Sequence, residues 1–203
     1  MIITYYGLTC LRLQVNGLSL LIDPVDVKTG LKLPRMQNDI MLLSHGPKSK
    51  ASSDKTFLAD CPGEYEIKGC FIYGIPVNNN KESKVMFLVE LEGIRIAHLG
   101  ILAQPKLTET QLDKLEGVDI LMVPVGGGES LTSNQATEII SDLEPRLVIP
   151  MYYQLPGLKI KLDSLEKFKK ELAVKSESAD KLKITKKELL QEETRMVILN
   201  PAK

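Results

Sequence analysis

The sequence predicts an α/β fold, and three observations point there. The first half reads as short strands, the second half alternates strands with helices, and 43% hydrophobic residues over 203 positions suffice for one buried core. Strand runs followed by strand–helix alternation fit sheets packed on each other or covered by helices in a layered sandwich. We expect a single domain over 1–203.

The opening runs "IITYYG", "CLRLQV" and "LSLLIDP" are β-branched or apolar, and Asn16-Gly17 is a strong hairpin turn signal between the second and third. "DIMLLSH" at 39–45 reads as a buried strand running into the polar stretch "GPKSKASSDK". Strands follow at "EYEIKGCFIYGI", "VMFLVELEG" and "IRIAHLG". Thr108 and Gln111 then have the spacing of a capping box, with Leu112 and Leu115 opening an apolar face. After the buried strand "VDILMVPV" and the turn "GGGES", Thr132 and Gln135 repeat that spacing ahead of Ala136, Ile139, Ile140 and Leu143, the i, i+3, i+4, i+7 stripe of a helix. "RLVIPMYY" is the next strand, Asp163 and Glu166 are expected to cap a helix that turns Leu165, Phe168 and Leu172 inward, and "LKITKK" and "TRMVILNP" close the chain as strands.

Composition removes several functions. Lys plus Arg and Asp plus Glu are both 26, so no basic excess exists for a phosphate backbone or an anionic bilayer, and nucleic acid and membrane are not expected partners. The apolar runs fall short of the roughly 18–20 residues that span a bilayer. "MIITYYGLTCLRLQV" has no signal-peptide pattern, which points to the cytoplasm. Cys10, Cys61 and Cys70 are odd in number and lack C-x-x-C spacing, so we expect buried reduced thiols rather than disulfides or a zinc ribbon.

The strand and loop "LLSHGPKSK" at 42–50 resemble those that bear the first metal ligands of the metallo-β-lactamase superfamily. "LLIDP" (20–24), "PGEYEIKG" (62–69), "FIYGIP" (71–76), "IRIAHLG" (94–100), "VDILMVPVGGG" (118–128) and "EPRLVIPMYY" (144–153) stand in the order of one subgroup, the small bacterial and archaeal Zn-dependent hydrolases of the β-lactamase fold, similar to the ascorbate-phosphate lactonases. The resemblance implies a four-layer αββα sandwich with a cleft at one edge of the sheets. It also implies clustered His and Asp ligands around one or two metal ions that activate water.

Aligned on the shared Ser-His, the family's H-x-H-x-D-H block falls on His45, Pro47, Ser49 and Lys50. A later His ligand aligns with Asn79, the bridging Asp of "H-L-G-D" with Ile101, and the His of "P-M-H-Y" with Tyr152. His45 alone keeps the ligand type, and none of the replacements commonly binds zinc. A four-ligand structural zinc site is worth roughly 10–16 kcal/mol, so one His supplies on the order of 3–4 kcal/mol, near millimolar affinity. We therefore expect no metal cofactor, although zinc is implied for the family.

Two histidines in the whole chain cannot rebuild a His-rich site elsewhere, and no D-x-D-x-D-G spacing suggests a harder cation. His98 reads as a structural, hydrogen-bonded histidine, and Gly126, Gly127 and Gly128 as a tight turn. Neither Ser49 nor Ser130 lies in G-x-S-x-G. Lys48, Lys50 and Lys55 form a basic loop that could draw an anionic ligand. The expectation is a metallo-β-lactamase-fold protein that has lost metal and catalysis and binds a small anionic molecule or a protein partner, with a homo-oligomer possible. The alternative is a metal-dependent hydrolase working through a remodelled site.

Overall fold

The computed structural model describes residues 1–46, 55–77, 84–189 and 193–202. In chain order the elements are strands β1 (Ile2–Gly7), β2 (Cys10–Val15), β3 (Leu18–Ile22), β4 (Ile40–Leu42), β5 (Phe57–Ala59), β6 (Gly63–Ile67), β7 (Cys70–Val77), β8 (Lys84–Leu91) and β9 (Ile94–His98), then helix α1 (Glu109–Leu115). They continue with β10 (Ile120–Pro124), α2 (Ser133–Leu143), β11 (Leu147–Met151), α3 (Leu165–Leu172), β12 (Ser176–Ala179), β13 (Leu182–Lys183) and β14 (Arg195–Leu199).

Two mixed sheets result, one of six strands in the order β13-β1-β2-β3-β4-β5 and one of eight in the order β12-β14-β11-β10-β9-β8-β7-β6. Alternation in β2 explains the packing: Leu11, Leu13 and Val15 join the core between the sheets, while Arg12 and Gln14 face outward half-buried. The Asn16-Gly17 turn has both residues at positive φ, 42° and 83°, as a tight hairpin requires. β10 is buried along its whole length, as expected of a parallel strand covered on both faces.

The outer face of the eight-stranded sheet is served by the three helices, α1 packing on α2, and α2 on both α3 and β10. Both expected capping boxes are present, Thr108 with Gln111 and Thr132 with Gln135. The third cap differs. α3 begins after Ser164, and Asp163 instead pairs with Lys167 at 2.7 Å, while its backbone N–H donates to the Gly126 carbonyl at 2.8 Å. On the other side of the molecule, Tyr6, Cys10, Leu21, Met41 and Leu43 form a second apolar cluster under Val25, Leu33 and Met36. Among the described residues, the cover over this cluster is the irregular segment that follows β3, with a short 3-10 turn at Val27–Thr29, so this outer layer of the αββα sandwich carries little regular helix.

Several elements depart from the sequence expectation. β4 is three residues long because the chain leaves the sheet at Leu43; "LKITKK" gives only the two-residue β13 before a 3-10 turn at Lys186–Leu189. β5 and the exposed edge strand β12 were not expected from the residues. Cys10 and Cys70 are buried free thiols as expected, but Cys61 is exposed, with its sulfur 3.2 Å from the Tyr65 hydroxyl. No helix among the described residues is long and apolar enough to cross a membrane.

Candidate functional site

Four strand ends converge on one cleft. β3 and β4 are parallel neighbours in the six-stranded sheet, with Ile22 opposite Leu42, so the residues just beyond them, Asp23 and Ser44-His45, meet. In the other sheet β9, β10 and β11 are parallel, and the chain beyond β9 and β11 delivers Ile101 and Tyr152 to the same place. Ligand sites of open α/β sheets form at the carboxyl ends of parallel strands in this way. The cleft holds about 560 Å³, within the range of small-molecule sites.

Two backbone distortions aim the side chains. Asp23 leaves β3 at φ 46°, its N–H bonded to the Leu42 carbonyl at 2.9 Å, which turns the carboxyl toward Ser44. Tyr152 sits at φ 53°, a conformation that costs a bulky residue about 1–3 kcal/mol and persists only where its surroundings enforce it. The Tyr152 N–H donates to the Leu8 carbonyl at 2.8 Å, and a Cβ at Gly126 would overlap the Tyr152 carbonyl oxygen. The three glycines at 126–128 thus make the expected tight turn, closed by Ser130 N–H to the Gly127 carbonyl at 3.1 Å, and Gly126 makes room for Tyr152. The Ser130 hydroxyl donates to that same carbonyl at 3.0 Å.

At the cleft floor Asp23 is 5% exposed. One carboxylate oxygen accepts the Ser44 N–H at 2.6 Å, the other the Ser44 hydroxyl at 2.5 Å. Burial pushes this carboxyl up, but the charge and hydrogen bonding of His45, joined by His98 and Ser44, outweigh it and hold Asp23 below the ordinary carboxylate range. An ionised Asp23 can only accept, so Ser44 spends its proton there. The 2.8 Å contact between Ser44 Oγ and His45 Nδ1 then requires Nδ1–H as donor, which leaves Nε2 as the ring nitrogen not engaged by Ser44.

His98 is fully buried, and both ring nitrogens are in use. Nε2 donates to the Thr9 carbonyl at 2.9 Å and Nδ1 accepts the Gly100 N–H at 3.2 Å. Desolvation lowers its pKa against the pull of Asp23, so it is a neutral structural histidine, as expected from the sequence.

Of the positions singled out in the sequence, His45, Ile101 and Tyr152 are brought together. Pro47, Ser49, Lys50 and Asn79 lie outside the described residues, as does Lys48. Asp23 and Ser44 were missed as site residues. Their signal was an Asp, a residue that tolerates left-handed backbone, at the end of the apolar run "LLID".

The family model of the β-lactamase superfamily domain matches residues 2–152. The chain belongs to that superfamily. Among its relatives, a UPF0173 protein of Pyrococcus abyssi is 26% identical over 198 residues, covering 84% of this chain and 90% of the relative. A UPF0173 metal-dependent hydrolase of Lysinibacillus sphaericus is 25% identical, covering 74% of this chain and 84% of its own. A solved structure of a metallo-β-lactamase superfamily protein from Thermotoga maritima superposes with a TM-score of 0.81 at 26% identity, covering 98% of this chain and all (100%) of the other.

Superfamily relatives are thus named for a metal, and the donor set here can be tested for one. Ile101 and Tyr152 offer an aliphatic branch and a phenol whose proton burial, then Glu129, hold more tightly than usual. His98 has no free nitrogen, and Cys10, its thiol pushed well up by desolvation, belongs to the outer cluster. Among the described residues no group of three or more His, Cys, Asp or Glu side chains is placed to hold a metal ion. The described donors therefore fit poorly to the zinc coordination that the superfamily implies.

Proposed function

We propose that this chain is a β-lactamase-superfamily domain that has given up the metal-dependent step and serves as a binding module, with the cleft holding a small molecule or a segment of a partner protein. The observation that supports this reading is that the cleft wall carries Ile101 and Tyr152 at the positions aligned with an Asp and a His ligand of the family. Among the described lining residues His45 alone offers an imidazole nitrogen, and one such nitrogen holds zinc only at about millimolar affinity. The test is elemental mass spectrometry on protein purified without chelator and dialysed against excess zinc, manganese or iron. Metal far below one ion per chain is expected. Near-stoichiometric retention, together with metal-dependent hydrolysis of a phosphodiester, lactone or thioester that His45→Ala abolishes, would overturn it.

A second reading is favoured by the Asp23–Ser44–His45 chain, which presents the Nε2 lone pair of His45 as a general base. In that case the domain is a hydrolase with a remodelled site around His45 and Tyr152, and activity would survive chelation while disappearing in His45→Ala.

A further inference from the structure

Among the described residues three large hydrophobic side chains are exposed, Val27 at 71%, Phe71 at 41% and Ile160 at 37%, and they fall into two patches of opposite charge. Phe71 lies on the outer face of the eight-stranded sheet, since its neighbours Cys70 and Ile72 point into the core. The strand register sets Phe71 between Glu66 of β6 and Glu90 of β8, and Tyr73 between Glu64 and Leu88. Arg95 pairs with Glu90 and, with Lys114, borders this face, while Lys68 is committed to Asp39 at 2.7 Å. Glu64 and Glu66 therefore stand exposed on the edge strand β6 with no ion pair among the described residues. The second patch is a rim beside the six-stranded sheet. Val27 and Lys28 stand in the 3-10 turn after β3, and the Thr29 carbonyl accepts the Lys159 N–H at 2.8 Å, which lays the exposed run Lys159-Ile160-Lys161 beside them. Lys28, Lys159 and Lys161 have no ion pair among the described residues, and the acidic residue of the turn, Asp26, turns its carboxylate to the Lys28 N–H at 2.8 Å.

We propose that these patches are the two halves of one interface and that a second copy of this chain is the occupant: the Phe71 face of one copy, with Glu64 and Glu66, docks on the Val27 and Ile160 rim of the next, with Lys28, Lys159 and Lys161. Charge selects this occupant. Two Phe71 faces would set carboxylate against carboxylate and two rims ammonium against ammonium, so like patches repel and unlike patches attract. Exposed apolar groups rimmed by charge gain by being covered. Val27 and Phe71 belong to the surfaces of different sheets, so one chain does not close the contact on itself. The contact is heterologous: a docked pair still offers one patch of each kind, and copies add head to tail until a ring closes. Docking does not depend on what the cleft holds, although Ile160 belongs to the cleft wall, so a second chain is brought to its mouth.

The test is sedimentation velocity of the full chain from micromolar to millimolar concentration, on the parent and two charge-reversed variants, with circular dichroism to check that each is folded. Glu64→Lys with Glu66→Lys spoils the Phe71 face, and Lys159→Glu with Lys161→Glu spoils the rim, all at exposed positions. The parent is expected to sediment faster than a monomer as its concentration rises. Raising salt from about 0.1 M to about 1 M shortens the screening length from about 10 Å to about 3 Å and should weaken that association. Each variant alone should associate at least about tenfold more weakly than the parent, because it sets like charges against each other. Mixed one to one, the two variants should regain the association, since each then meets the opposite charge on the other. A parent that stays monomeric at millimolar concentration would overturn the proposal. So would association that either variant alone leaves unchanged, the sign of contact between like patches, or a mixture no more associated than its components.

Discussion

The Asp23 carboxylate stands 3.4 Å from His45 Nδ1, and the Ser44 hydroxyl bridges the two. This arrangement fixes which ring nitrogen of His45 carries the proton. In Asp23→Asn the amide oxygen can still accept the Ser44 N–H, so its NH₂ must face the Ser44 oxygen. The hydroxyl then turns its proton to His45 Nδ1, and the imidazole proton moves to Nε2. Nitrogen-15 NMR should show His45 as the Nδ1–H tautomer in the parent chain and Nε2–H in the variant. An unchanged tautomer would refute the assignment. Asp23→Ala should cost more in stability, about 2–4 kcal/mol, because the Ser44 N–H and hydroxyl lose a buried acceptor.

Acid should destabilise the fold in two phases. The His98 pKa is lowered from its ordinary 6.5, so the unfolded chain binds that proton first, and the stability tied to neutral His98 is complete above about pH 6.5 and falls as pH drops toward the folded value. Asp23, lowered from 3.8, adds stability that is present above its unfolded value and lost as pH falls through the folded one. Each proton contributes a slope of at most about 1.4 kcal/mol per pH unit. Urea midpoints between pH 7 and 5 should therefore decline in the parent chain and flatten in His98→Asn, which is less stable overall. An equal decline in both would assign that phase to other groups.

Gly126→Ala should cost about 1–3 kcal/mol, the usual range for forcing an atom into a packed site, since the new methyl meets the Tyr152 carbonyl. Calorimetry gives the cost, and the Tyr152 ring resonances should shift with it. A melting temperature unchanged within a degree would mean that the turn and Tyr152 are not packed as described.

The two classes of helix start can be separated by one substitution each. Thr132→Ala removes the hydroxyl half of a capping box and should cost about 1 kcal/mol, whereas Ser164→Ala removes a side chain that makes no cap hydrogen bond and should stay within about 0.5 kcal/mol. Comparable losses would show that Ser164 caps α3 in solution.

The layered fold was legible because its signals are local or periodic. The Asn16-Gly17 turn, the Thr132–Gln135 box and the stripe from Ala136 to Leu143 each need only a few consecutive residues. The wall positions Ile101 and Tyr152 were singled out by another route, the alignment with the family's ligand blocks at the ends of apolar runs. Asp23 was not legible as a site residue, since its role depends on β3 and β4 lying parallel and in register, a relationship between segments about 20 residues apart. The cap of α3 was misplaced by one residue: the helix starts after Ser164, and Asp163 lies before it, its backbone bonded to Gly126, far away in sequence. β12 escaped because "SESA" has no apolar pattern and is a strand only by pairing with β14.

The pairing of β1 with β13, Ile2 opposite Lys183, has a consequence for biosynthesis. β1 must wait for a partner about 180 residues later, which at roughly 5–20 residues per second takes on the order of ten to forty seconds. During that interval one edge of the nascent six-stranded sheet is unpaired and open to other chains. Such long-range closure also places the protein among slow folders, so its yield in a cell should depend on translation rate and on chaperones that shield that edge.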